Sequence, residues 1–338
     1  MPVLILLSMG RLLYERPSRS ILCSFILLGL LVSCSAVTNR QLKEQMKQFV
    51  DKPTAPPGMI GAVLDSTGVR MIQAVGVRKA ATTIPLLPTD RVHIGSCTKA
   101  FTAVVIARLI DEKLLDWDMT LATVFPEFQS TIYPDYLEVT VKTLLTHRAG
   151  LPRNPTEKDL ARHLRLPIVQ ARKAIVKASL SEAPKNTKGM FLYSNLGYLL
   201  LGSMAEKVSG RPWETLMEEY IFAPLKMTTV GFGFPGTAGK VDEPWGHRWV
   251  SNQWLPLQED YPAFIGPAGT LHCSLGDWAK FVATFLKKSP VLISQQQMQR
   301  LTQPIDDIAS GWFVTHTDWA EGPVLFHTGS NTLWYASV

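Results

Sequence analysis

Strand-forming runs gather at the two ends of the folded part of this chain and are missing from its long middle. "MIGAVLDSTGVRMIQAVGVR" is two β-rich runs split by the turn "DSTG", Asp65 to Gly68, which is a hairpin signal. "GWFVTH", "PVLFHTG" and "LWYASV" bring strands back at the end, and between the two groups lie helical periods and Pro/Gly loops. A sheet drawn from both ends has the helical middle inserted into it, so the expected class is α/β (α+β): an antiparallel sheet flanked by helices, with an inserted, mostly helical subdomain. The 46% apolar content suits a packed core, and no repeat or linker splits the chain into modules. "VTNRQLKEQMKQFV" sets Leu42, Met46, Phe49 and Val50 on one stripe of a docking helix. "SLGD", Ser274 to Asp277, has the form of a helix N-cap with an acid three residues on, and Gly150 and Pro152 in "LLTHRAGLP" mark a turn.

The first 34 residues form a separate unit. Arg11, Arg16 and Arg19 precede the apolar run "ILCSFILLGLLVSC", too short for a comfortable membrane span and right for a secretory leader. Its end, Leu31 to Cys34, resembles the bacterial lipobox. Residues 1–34 then read as a signal peptide, with Cys34 lipidated and tethering the domain of residues 35–338 to the outside of a membrane, in the periplasm or cell envelope. Cleavage after Ala36, or an uncleaved anchor, are the alternatives. The formal charge of +6 falls once the leader's basic residues are removed, and the remaining lysines and arginines are scattered, which excludes a nucleic-acid footprint. "RKAIVKA" from Arg172 reads as a solvated helix face. Only Cys97 and Cys273 lie in the folded body. Export permits a disulfide between them, but two separate thiols are the simpler reading, and no metal-ligand spacing appears.

Chemistry concentrates in "HIGSCTKAFTA". On a helix Ser96 and Lys99 share a face one turn apart, and the apolar residues downstream bury that helix. Desolvation lowers a buried lysine's pKa, which lets it take a proton from a neighbouring hydroxyl. Ser96 also falls near a helix N-terminus, which favours developing negative charge. "YSN", Tyr193 to Asn195, is the only Y-x-N in the chain, and "HTG", His327 to Gly329, lies among the late strands. Taken singly, Tyr193 reads equally as a core tyrosine, Asn195 as a helix cap and "HTGS" as a strand end. His147, a lone histidine before a turn, reads as a hydrogen-bonded structural residue.

Together and in order, S-x-x-K, Y-x-N and K/H-T-G resemble the serine β-lactamase and penicillin-binding protein superfamily, specifically its class C β-lactamase-like branch. "RVHIGSCTKAFTA", "LLTHRAGLP", "YSNLGYLLLG", "PWGHRW" and "GPAGTLHCSLGDWAKF" carry the likeness over roughly residues 38 to 338. The resemblance implies Ser96 as acylated nucleophile, Lys99 as its activating partner, Tyr193 as general base and then acid, and Asn195 holding Lys99 and the substrate amide. It implies an oxyanion hole from the backbone N–H groups of Ser96 and Ser330, and a substrate-facing strand of His327, Thr328 and Gly329. It implies an acyl-enzyme hydrolase of a β-lactam, a D-amino-acid peptide or a small ester, with no metal or organic cofactor and a small-molecule or peptide partner. The alternative is a catalytically weak protein that binds penicillin or cell-wall fragments. Oligomeric state is left open. His327 stands where that family often has lysine, and with an ordinary histidine pKa of about 6.5 it would attract a substrate carboxylate only when protonated. The resembling family continues with a further strand and a closing helix, which implies that this chain is truncated at "LWYASV".

Overall fold

The computed structural model describes residues 3–8, 38–318 and 320–338. Cys34 and the apolar run before it lie outside the described residues. Val3–Ser8 (β1) does not. This run of apolar residues, to which the sequence reading assigned no strand, pairs antiparallel with Gly58–Asp65 (β2) on one side and with Tyr335–Ser337 (β9) on the other. Asn39–Val50 (α1) is capped by Thr38 in a reciprocal box with Gln41. The expected hairpin joins β2 to Gly68–Gly76 (β3), with Asp65 paired to Gly68.

β2 is buried on both faces because its alternation serves two layers. Ile60, Ala62 and Leu64 enter the main core, while Met59 and Val63 meet Leu42 and Met46 of α1 on the other side. The main core is built around Thr98–Asp111 (α2) and Asn195–Ser209 (α4), helices apolar nearly all round and therefore fully enclosed. Arg91–His93 (β4) leads into α2 and pairs with Leu271–Ser274 (β5), after which Ser274 caps Leu275–Lys287 (α5) by accepting from the Asp277 N–H. The chain closes with Trp312–Thr315 (β6) paired to Val324–Phe326 (β7), then Thr328–Ser330 (β8) paired to β9. The five-stranded sheet runs β8-β9-β1-β2-β3, drawn from both ends of the chain with the helical middle between them. β8 is its edge strand.

Cys97 and Cys273 are both buried free thiols. The reading of "RKAIVKA" as a solvated face needs correction at Arg172. On Ile168–Leu180 (α3), Lys173 and Lys177 are exposed, but Arg172 is fully buried, ion-paired to Glu206 and Glu214 and bonded through Nε to the Phe264 carbonyl at 3.0 Å. Its counter-ions come from elements distant in sequence, so the helix pattern alone could not place it inside.

Candidate active site

β4 delivers Ser96 through a tight 3₁₀ turn, Gly95–Cys97, that runs directly into α2. Gly95 takes φ +52°, where a side chain is strained, and a Cβ there would strike the backbone of Gly329 and Ser330. A Cβ on Gly329 would strike Ile94, Ser96 and Cys97 in return. The two glycines thus let the Ser96 turn and the edge strand β8 meet backbone to backbone. The start of α2 is pinned by hydroxyls: Thr98 Oγ1 donates to the Gly95 carbonyl at 2.7 Å and accepts from Leu271 N–H at 3.2 Å, and Thr102 donates to the Pro267 carbonyl at 2.8 Å.

That packing buries Lys99 completely. Its Nζ lies 3.1 Å from Ser96 Oγ, 2.7 Å from Asn195 Oδ1 and 2.6 Å from the Ala268 carbonyl. Burial drives the amine well below its ordinary pKa, with the Arg153 charge acting in the same direction. A neutral amine has two N–H donors and one lone pair. The carboxamide oxygen and the carbonyl can only accept, so they take the two donors, and the lone pair remains for the Ser96 hydroxyl. The serine and lysine singled out in the sequence are therefore joined by a hydrogen bond that can polarise the Ser96 hydroxyl.

Asn195 opens α4, and the N-cap is Ser194, which accepts from Gly197 N–H at 3.0 Å. Asn195 is therefore free of capping duty. Its Nδ2 donates to Asn154 Oδ1 at 2.7 Å and its N–H to the Arg153 carbonyl at 2.7 Å, which aims its oxygen at Lys99. The Tyr193 ring lies 4.9 Å from Lys99 Nζ, 5.5 Å from the Arg153 guanidinium carbon and 4.4 Å, centroid to centroid, from His147. Burial, with the Arg153 charge acting in the same direction, holds His147 well below its ordinary pKa. Its Nδ1 accepts from Ser194 N–H at 3.1 Å, the structural role expected of it, although at the site's wall.

The register of β8 fixes which of its groups face Ser96. His327 and Val338 exchange both backbone hydrogen bonds at 3.0 Å, so the next such pair is Gly329 with Ala336. Thr328 and Ser330 then turn their backbone N–H and C=O away from β9, toward the Ser96 turn. Ser330 thus presents its N–H beside that of Ser96, while its hydroxyl closes the hairpin by donating to the Trp334 carbonyl at 2.7 Å. His327 departs from expectation. It is buried, its Nδ1 donates to the Thr328 carbonyl at 2.7 Å, and burial lowers its pKa to about 3. The expected protonation near pH 6.5 does not occur, and His327 is a neutral residue across the physiological range.

Ser96, Lys99, Tyr193, Asn195 and the β8 segment are thus brought together from three parts of the chain. Sequence reasoning missed Arg153, Asn154 and Ala268, which hold Lys99 and Asn195. The first two directly follow "GLP" and the third lies in "GPAG", but only the fold reveals their direction.

The family model described as Beta-lactamase matches residues 45–338. Among curated proteins the chain is similar to Protein flp of Staphylococcus aureus (strain N315), 24% identical over 282 residues, 81% of this chain and 55% of that protein. The chain therefore spans about half the length of that relative. Among solved structures it is similar to the octameric penicillin-binding protein homologue from Pyrococcus abyssi, with TM-score 0.71, 22% identity, and coverage of 89% of this chain and 73% of that one. It is also similar to a D-stereospecific amidohydrolase from Streptomyces sp., with TM-score 0.69, 20% identity, and coverage of 89% and 93%.

Proposed function

The chain belongs to the Beta-lactamase family, and on that premise we propose that it is a serine hydrolase that forms an acyl-enzyme at Ser96 on an amide or ester. The observation that carries this reading is the buried Lys99 amine 3.1 Å from Ser96 Oγ, with its other two partners fixed. Ser96 Oγ attacks the substrate carbonyl carbon as its proton passes to the Lys99 lone pair. The carbonyl oxygen gains negative charge and accepts from the N–H groups of Ser96 and Ser330. The tetrahedral species then collapses, the bond to the leaving nitrogen or oxygen breaks, and that atom takes the proton through Tyr193, whose ring faces Lys99. Water then attacks the resulting ester as Lys99 and Tyr193 take up its proton, the bond from the carbonyl carbon to Ser96 Oγ breaks, and that proton passes to Oγ as the acid product leaves.

The substrate we propose is a D-amino-acid amide or peptide, or a small ester, ahead of a β-lactam. Its support is the neutral, buried His327, which provides no fixed cation for a carboxylate on β8. We propose further that the protein is exported and anchored through Cys34.

The deciding experiment is labelling with a fluorophosphonate probe and with a fluorescent penicillin, followed by a panel of D-amino-acid amides, esters and β-lactams. Wild type is expected to label and turn over, and Ser96→Ala to do neither while keeping its circular dichroism spectrum and Tm. Turnover that survives Ser96→Ala would remove Ser96 as nucleophile. Labelling without turnover of any substrate would favour the weak penicillin-binding alternative.

A further inference from the structure

The two N–H groups of the proposed oxyanion hole belong to segments more than 230 positions apart in the chain, and one side chain outside the recognised motifs reaches both, bonding His93, which bonds the neighbour of Ser96, and Asn331, the neighbour of Ser330. Asp260 follows Gln253–Leu257, a strand of a separate hairpin, in a stretch without regular structure. Its side chain is 5% exposed. Oδ2 lies 3.0 Å from His93 Nε2, and His93 Nδ1 lies 3.1 Å from the Gly95 N–H. A backbone N–H can only donate, so Nδ1 is the acceptor, and Nε2 carries the proton that Asp260 accepts. Oδ1 accepts from Asn331 Nδ2 at 3.0 Å and from Tyr261 N–H at 2.8 Å. Asn331, itself buried, uses its Oδ1 to accept from the N–H groups of Leu333 and Trp334, both at 3.2 Å, which shapes the turn between β8 and β9. His93 also stacks on the enclosed Trp334, with centroids 5.8 Å apart.

One oxygen of Asp260 therefore secures the residue before Ser96, and the other secures the residue after Ser330. Between them lies the backbone contact of Gly95 and Gly329, which packs the two segments but holds neither against sliding. We propose that Asp260 is a positioning residue that fixes the spacing of the Ser96 and Ser330 N–H donors through His93 and Asn331. This rests on the hydrolase reading above. Asp260 acts through these two neighbours and takes no part in the proton transfers.

Asp260→Asn tests it with little change of shape. An amide has one oxygen where the carboxylate has two, so it cannot accept from both His93 and Asn331. Asn331→Ala releases the β8 side alone and serves if the first variant folds poorly. Fluorophosphonate labelling to completion counts the competent sites, so rates are expressed per labelled site and partial misfolding is divided out. The expected result, with a small ester as substrate, is a kcat about 10- to 100-fold lower per site and a KM within about threefold, because the oxyanion exists only past the ground state. Inhibition by phenylboronic acid, which forms a tetrahedral adduct on a serine oxygen, should weaken by a similar factor. The double variant should lose less than the product of the two single losses, as members of one network do.

Wild type that neither labels nor turns over would overturn the hydrolase reading and this inference with it. Wild type that labels and turns over, with variants unchanged per labelled site, would overturn this inference alone. So would a kcat loss without weaker boronic acid binding.

Discussion

Gly329→Ala places one methyl group at the tightest backbone contact of the site. A Cβ there would stand 2.7 Å from Ser96 N and 2.8 Å from Cys97 N, with the Ile94 carbonyl nearer still. Ordinary contact begins near ~3.5 Å, so the edge strand and the Ser96 turn must separate by about 1 Å. All three obstacles are backbone, and no side chain can rotate aside. A displacement of about 1 Å at reacting groups costs on the order of a hundredfold, and loss of one oxyanion donor about 10²–10³-fold in kcat. The two mechanisms converge on a kcat lower by about two to three orders of magnitude. Stability should fall by about 1–3 kcal/mol, the usual cost of overpacking. The assay is steady-state hydrolysis of a small ester beside urea denaturation. Gly276→Ala is the control, because it lies in α5, where a Cβ meets nothing closer than 3.8 Å and should be neutral or mildly stabilising. A Gly329→Ala enzyme within about threefold of wild-type kcat would refute the view that turnover needs the close backbone approach of β8 to the Ser96 turn.

The remaining expectations concern the proton path and the N-terminus. Arg153→Gln removes a positive charge that disfavours protonated Lys99, so the lysine pKa rises and the acid limb of kcat/KM moves to higher pH; a limb that stays in place would break the link between the two residues. Tyr193→Phe should lose at least about a hundredfold in kcat, and a smaller loss would leave the leaving-group proton to Lys99. Intact-mass analysis of protein recovered from a bacterial envelope should find a lipidated N-terminal Cys34, which Cys34→Ser abolishes. A mass that retains residues 3–8 would refute processing at Cys34 and leave β1 in the sheet between β2 and β9.

Local signals were legible wherever one element carries them. Ser96 and Lys99 are three residues apart where a 3₁₀ turn runs into α2, Asp65 to Gly68 is a complete turn, and Ser274 caps the helix that begins beside it. Two-ended strand placement was enough to infer the sheet with its helical insertion. What stayed hidden depends on pairs far apart in sequence. Asp260 and His93 are separated by 167 positions, and nothing near either marks the other. Arg172 looked like surface because Glu206 and Glu214, which let it be buried, lie on other elements. His327 looked titratable because a residue's ordinary pKa says nothing of its burial, and β1 was missed because the basic and apolar run after it dominated the reading of the leader.

A lysine enclosed without its proton also ties the durability of the molecule to its capacity to react. The unfolded chain protonates Lys99 up to about pH 10, whereas the native chain resists doing so, and over that interval the unfolded state holds the extra proton. Native stability from this group therefore rises with pH, by at most about 1.4 kcal/mol per unit, and is lowest on the acid side. Lys99→Met, which keeps the stem and discards the amine, should abolish turnover, raise Tm at neutral pH and lose that alkaline gain; an unchanged or lower Tm would contradict the account. A descendant of this chain released from selection for turnover would gain robustness by a single substitution at position 99. A lysine at position 99 is thus a cost that folding alone gives no reason to bear.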